Sequence, residues 1–147
     1  MLKVIRSLNQ LDVAQLQQLY DASSYSAFYD SLIGFFEEPR AYICIWQVNE
    51  HYVSALRIEP FQDGWLVAGL ETAAMHRRKG YAKALLTAVI NQLPPDAKLY
   101  SHIEIRNEPS IAVHKACGFA MVLDYAKLLD GSVSTNFHTF IKTAPMQ

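Results

Sequence analysis

A mixed α/β sheet with helices on its faces is the fold class predicted by this 147-residue chain. Three observations lead there. Short runs rich in β-branched and aromatic residues, such as "AYICIWQV" and "HYVSALRI", carry strand propensity. After Gly80 the apolar period changes to that of a helix, and Leu93-Pro94-Pro95 ends it, because proline disfavours helix at the residue before it. Turn residues at Asn49-Glu50, Asp63-Gly64 and Asp130-Gly131-Ser132 divide the chain into elements of ordinary length.

Taken in order, a short strand is expected at "LKVIRSL" and a first helix over Asn9 to Tyr20, with Asn9 as its cap and Leu11, Leu16 and Leu19 near helical spacing. A second helix runs from Ser24 to Phe36, stopped by "EEPR", with Phe28, Leu32, Phe35 and Phe36 on its apolar face. "AYICIWQV" and "HYVSALRI" form a hairpin, and "WLVAGLETAA" adds a strand. The helix after Gly80 shows Ala84, Leu85, Ala88 and Val89 on one side. "KLYSHIEIR" alternates as a strand, "SIAVHKACGF" is a short helix stopped by Gly118, and "FAMVLDYAKLL" with "TNFHTFIKT" closes the sheet as a strand pair around "DGS". No linker, repeat or low-complexity tract interrupts residues 1–147, so one domain is expected.

Composition narrows the function. Hydrophobic residues make up 51% and charged residues 18%, the balance of a globular protein that folds alone. A formal net charge of −1 gives no global attraction to nucleic acid or an anionic membrane, so anion binding must be local. Cys44 and Cys117 are too few for a disulfide framework or a multi-thiolate metal site, and no metal is expected. No apolar run reaches the ~18 residues of a membrane span, and "MLKVIRSLNQ" is no signal segment; a cytoplasmic location is expected.

The local anion site is "HRRKGYAKALL". A helix start leaves backbone N–H groups unpartnered at the positive end of the helix dipole. Arg77, Arg78 and Lys79 add full charges, and Gly80 and Ala82 keep side chains out of the way. Neither a Gly-Lys-Ser/Thr phosphate loop nor a triple-glycine dinucleotide fingerprint is present. "RRKGYA" instead resembles Arg/Gln-x-x-Gly-x-Gly/Ala, the acyl-CoA pyrophosphate signature of the GNAT superfamily of N-acetyltransferases. "NEPSIAVHKACGF" resembles the family's downstream motif, an asparagine with a small residue three further on and a terminal Gly-Phe. One helix and one strand separate Gly80 from Asn107, as the family's fold requires, and the likeness in organisation extends over residues 48–142.

The resemblance implies a mostly antiparallel sheet of about six to seven strands with about four helices, and transfer of an acetyl group from acetyl-CoA directly to a primary amine. The coenzyme would lie on the backbone around Leu70 and Thr72, against Arg77, Arg78, Lys79, Gly80, Tyr81 and Ala82, and beside Asn107 and Ser110, with Lys115 either reaching a nucleotide phosphate or simply solvated. A backbone N–H beside the thioester would polarise its carbonyl. An alkylammonium with pKa about 10 must lose a proton and a thiol with pKa about 8.5 must leave. Glu71 is the candidate base, expected to be desolvated in an apolar strand, or else an ordinary ion-paired strand residue. His114 stands where the family often has a tyrosine that protonates the thiolate; it either does that work or packs a helix. Tyr125 is a fallback acid or a lining aromatic.

His102 and Glu104 share a strand face but lack a third ligand. Two alternatives stay open: a non-catalytic acyl-CoA-binding module, and a nucleotide- or phosphate-binding protein whose basic helix start imitates the motif. The acceptor, whether a small molecule or a protein or peptide amine, is not legible, and a homodimer is left open.

Overall fold

The computed structural model describes residues 1–143. Its elements are β1 (Leu2–Ile5), α1 (Val13–Leu19), α2 (Tyr25–Phe36), β2 (Tyr42–Val48), β3 (His51–Phe61), β4 (Gly64–Thr72), α3 (Tyr81–Gln92), β5 (Leu99–Glu104), α4 (Glu108–Ala116), β6 (Ala120–Leu123), β7 (Ala126–Lys127), β8 (Val133–Ser134) and β9 (Phe137–Lys142). Seven strands form one sheet in the order β1-β2-β3-β4-β5-β9-β6, while β7 and β8 pair separately. The mixed, mostly antiparallel sheet and its four helices are as the sequence predicted.

Strand alternation divides the core into two layers. Leu56, Ile58 and Val67 point to one face, where they meet Leu85, Leu86 and Val89 of α3, with Phe119 and Phe140 closing the cluster. Ile43, Ile45 and Ala55 point to the other and meet Val13, Leu16 and Leu19 of α1 and Leu32 of α2. Each helix buries one stripe, the pattern that lets a short amphipathic helix persist.

One strand pair sets up the site. β4 and β5 are the parallel neighbours, and only Trp65↔Leu99 and Leu66↔Tyr100 pair between them. Beyond Leu66 the two strands continue without further ladder pairs, so the sheet opens into a cleft. Ser101 Oγ donates to the Val67 carbonyl at 3.1 Å, just where the ladder stops.

Three expected boundaries are corrected. The first helix starts at Val13 rather than near Asn9: Asp12 accepts from the Gln15 amide at 3.2 Å, and residues Leu8–Gln10 form a separate 3-10 turn. Tyr52 Oη accepts from the Asp12 amide at 3.0 Å and so pins the cap. β3 runs on to Phe61, with Pro60 inside it, because β2 begins opposite Ile58 and leaves that end of β3 paired on one side alone. "FAMVLDYAKLL" is two strands rather than one. β6 pairs with β9, while β7 pairs with β8 across a turn closed by the Leu128 amide on the Ser132 carbonyl at 2.8 Å.

Candidate functional site

At the parted end of β4 lies a cavity of about 650 Å³, floored by that strand end and walled by the N-terminal turns of α3 and α4. It brings together Leu70, Glu71, Thr72, Arg77, Arg78, Gly80, Tyr81, Ala82, Asn107 and Ser110. Lys79, His114, Lys115 and Tyr125 are not among its lining residues. His76, Lys83, Pro109 and Val113 line it too and were missed from sequence. Lys83 was discoverable, since three residues past Gly80 is still the first turn of the helix. Pro109 also had a cue: proline suits the first helical turn, where its missing N–H costs no bond.

The loop from β4 to α3 has a shape that its residues do not relax into freely. Arg78 has φ +63° and Gly80 has φ +81°, both left-handed. Glycine takes that conformation at little cost, whereas a residue such as Arg78 gives up roughly 1–3 kcal/mol. Gly80 is the cap residue of α3, and no side chain satisfies the first amides of that helix. A Cβ built on Gly80 would meet no atom within 4 Å, so the space above the helix start is open. Arg77 turns back instead: its Nε donates to the Thr72 carbonyl at 3.1 Å and its guanidinium pairs with Glu71 at 3.2 Å. Among the described residues Arg78 and Lys83 make no ion pair, leaving two cations free at the cavity.

Of the two settings expected for Glu71, desolvated in an apolar strand or paired with an arginine, the structure shows the second. Its side chain is 43% exposed, and the arginine six residues on reaches it across the loop. Its strand neighbours carry a bulge: Ala55 pairs with Glu71 and Arg57 with Ala68, so Gly69 and Leu70 lie opposite Leu56 alone. A bulge at this point frees backbone groups of β4 from the regular ladder.

α4 is finished in another way. Asn107 caps it, its Oδ1 accepting from the Ser110 amide at 3.2 Å. His114, in the last turn of the helix, is 1% exposed and faces the sheet. Its Nδ1 lies 2.7 Å from the Ser110 carbonyl, an acceptor only, which places the proton on Nδ1. Its Nε2, left as an acceptor, lies 3.0 Å from Ser101 Oγ, whose single proton is shared between that nitrogen and the Val67 carbonyl. Burial holds the imidazole's pKa below its ordinary value, against the pull of the Ser110 carbonyl. The ring thus bridges the wall of the cavity to the strand beneath it.

Tyr125 is 39% exposed and lies between β6 and β7, where its backbone carbonyl accepts from Thr139 Oγ1 at 2.7 Å. Lys115 is exposed on α4. Cys117 is partly buried, 3.7 Å from Thr87 Oγ1, and burial pushes the Cys44 thiol up to about 12. Among the described residues no three His, Cys, Asp or Glu side chains gather as a metal site, and no helix is long and apolar enough to cross a membrane.

A family model described as the acetyltransferase (GNAT) family matches residues 5–119. No curated protein sequence matches the chain. Among solved structures, a GNAT-family acetyltransferase from Bacillus cereus is 21% identical, with 99% of each chain covered and a TM-score of 0.71. An acetyltransferase from Thermus thermophilus is 15% identical, with 97% of each chain covered and a TM-score of 0.78. The ribosomal-protein-S18-alanine N-acetyltransferase of Escherichia coli is 15% identical, covering 100% of this chain and 96% of that one at a TM-score of 0.72.

Proposed function

The chain belongs to the GNAT acetyltransferase family, and from that premise we propose that it transfers an acetyl group from acetyl-CoA to a primary amine, with no covalent enzyme intermediate. The observation that carries this reading is the open start of α3. It combines unpartnered amides, a cap residue with free space above it and two unpaired cations, at the mouth of a cleft in the sheet. The residues present fit a diphosphate there. Arg78 and Lys83 would face its charge, while Asn107 and Ser110 and the backbone from Leu70 to Thr72 would flank the pantetheine arm.

When bound, acetyl-CoA supplies a thioester carbonyl activated toward attack. The chain's own part is to orient that carbonyl along the bulged end of β4 and to manage protons. We assign Glu71 as the base that accepts the proton lost by the amine as the nitrogen–carbon bond forms and the carbon–sulfur bond breaks. Arg77 holds that carboxylate at the cleft. Water at the open mouth returns a proton to the sulfur, a good leaving group with a thiol pKa near 8.5.

His114 takes no proton role in this scheme. Its nitrogens are both engaged and the ring is off the cavity, so we assign it as a positioning residue that fixes Ser110 against Ser101. Lys115 and Tyr125 receive no role in holding the coenzyme or moving its protons, since neither lines the cavity. An amine acceptor is supported by the E. coli neighbour, whose acceptor is an alanine of a ribosomal protein.

The test is release of CoA from acetyl-CoA in the presence of a panel of amines. Glu71→Gln should lower kcat at least ~10-fold while leaving acetyl-CoA affinity within a few fold. Unchanged kcat would remove Glu71 from the chemistry.

A further inference from the structure

On the face of the sheet shared with α1 and α2, one cation has nothing to hold. Residues directly opposite on antiparallel strands share a face, and Ala55 and Arg57 alternate onto the same one, so Arg57, Ala68, Ala55 and Glu71 all look the same way. Ala55 is buried in the cluster beneath α1 and α2, which identifies the face. Arg57 itself is exposed and lies outside the lining of the cavity, and among the described residues its side chain makes neither an ion pair nor a hydrogen bond.

The guanidinium is nevertheless held in place. It lies against Gly69: a Cβ at that residue would come within 3.2 Å of Nη2 and 3.3 Å of Cζ. Gly69 has φ +66°, so the bulge both demands glycine and clears the spot where the guanidinium rests. Tyr20 closes one side, its Oη donating to the Gly69 carbonyl at 2.7 Å and its ring 6.3 Å from that of Phe28. Glu59, on the same face two residues further along β3, stays out of ion-pair contact. Burial raises the pKa of both Tyr20 and Glu59, and the charge of the Arg57 guanidinium acts on each to oppose it.

Arg57 and Glu71 are diagonal neighbours on one face of the β3–β4 pair, Glu71 standing opposite Ala55 and Arg57 two residues along from Ala55. The carboxylate and the amine of an α-amino acid, held on one carbon, can address two side chains that are neighbours on one face, with one charge-assisted hydrogen bond to each. We propose that Arg57 binds a carboxylate of the acceptor, which makes the acceptor an α-amino acid presented with its amine toward Glu71. The proposal rests on the acetyl-transfer reading above and adds the substrate class. Bidentate recognition suits arginine's planar fork, and it sets specificity without touching the reacting atoms.

The experiment uses matched pairs, each an α-amino acid and the amine that lacks its carboxylate: phenylalanine with phenethylamine, methionine with 3-(methylthio)propylamine, lysine with cadaverine. CoA release is measured for each, beside a calorimetric titration with acetyl-CoA. In at least one pair kcat/KM should favour the amino acid by ~10-fold or more, the scale of a hydrogen-bonded charge pair. Arg57→Gln should erase that preference by raising KM for the amino acid, leave the paired amine within about twofold, and not shift acetyl-CoA affinity. Equal use of both members, a preference that survives in Arg57→Gln, or bound acetyl-CoA with no amino acid turned over would each overturn the proposal while sparing the acetyl-transfer reading. Absence of acetyl-CoA binding would instead sink that reading and this proposal together.

Discussion

The N-terminal turns of α3 and α4 face the same cavity, yet they are finished in opposite ways. α3 begins at Gly80, which offers no side chain to its first amides and leaves the space above them empty. α4 begins at Asn107, whose carboxamide takes up the Ser110 amide, and the helix is further tied to the sheet through His114. An unsatisfied helix start is an anion site, whereas a satisfied one is a wall. Of two similar elements, one is thus built to receive charge and the other to hold a shape.

The strongest response should come from disrupting the open start. Gly80→Glu puts a carboxylate and a left-handed side chain there, and acetyl-CoA affinity should fall at least ~100-fold through charge and backbone strain together. Gly80→Asn is the control, since asparagine tolerates that conformation; calorimetry should show a loss of only a few fold. A comparable loss in both variants would mean that backbone strain, not charge, governs the site.

Next come the free cations. Arg78→Gln or Lys83→Gln should each weaken acetyl-CoA binding roughly 3–10-fold and flatten its dependence on salt, as expected for exposed charges facing a phosphate. Lys115→Gln should do neither. Titrations at low and high ionic strength would check all three.

On the closed side, Asn107→Ala should cost about 1 kcal/mol in a denaturation experiment, the ordinary loss of a cap, with a smaller change in acetyl-CoA affinity than Gly80→Glu produces. If Asn107→Ala abolished binding without loss of stability, the carboxamide would be a ligand contact rather than a cap.

The mildest change concerns His114. Its folded pKa lies below the ordinary value, so the unfolded chain binds the extra proton first. The stability this represents is present above about pH 6.5 and is lost as pH falls below it. His102, also held low by burial, adds to the same slope. The thermal midpoint should therefore drop between pH 7 and pH 5, and His114→Gln should be less stable at pH 7 but less steep with pH. An identical slope in the variant would show that His114 does not couple to acid.

The open side of the cavity was legible because its cues are local in the chain. Gly80, its cations and the switch of apolar period lie within a dozen residues, and Asn107 with Ser110 marks the second helix in the same way. What was not legible depends on contacts between distant segments. Asn9 and Asp12 are both acceptable caps, and the choice falls to Asp12, whose amide is held by Tyr52 some 40 residues away. Glu71 reads equally as a desolvated or a paired carboxylate until the loop folds Arg77 back onto it. His114 occupies a motif position, but only the packing of α4 over Ser101 turns it toward the sheet. Arg57 and Gly69 become neighbours only through the β3–β4 register and its bulge.

The contrast between the two helix starts is tested by calorimetric titration of the wild-type chain with acetyl-CoA, with S-acetyl-4′-phosphopantetheine, which lacks the nucleotide but keeps one phosphate, and with S-acetyl-pantetheine, which keeps the thioester and lacks every phosphate and the adenosine. If the start of α3 receives the phosphates, acetyl-CoA should bind about 100-fold or more tightly than S-acetyl-pantetheine, a difference on the order of 2.7 kcal/mol, and the single phosphate of S-acetyl-4′-phosphopantetheine should restore part of it. Equal affinities, or no binding of acetyl-CoA at all, would be incompatible with a phosphate-receiving start of α3.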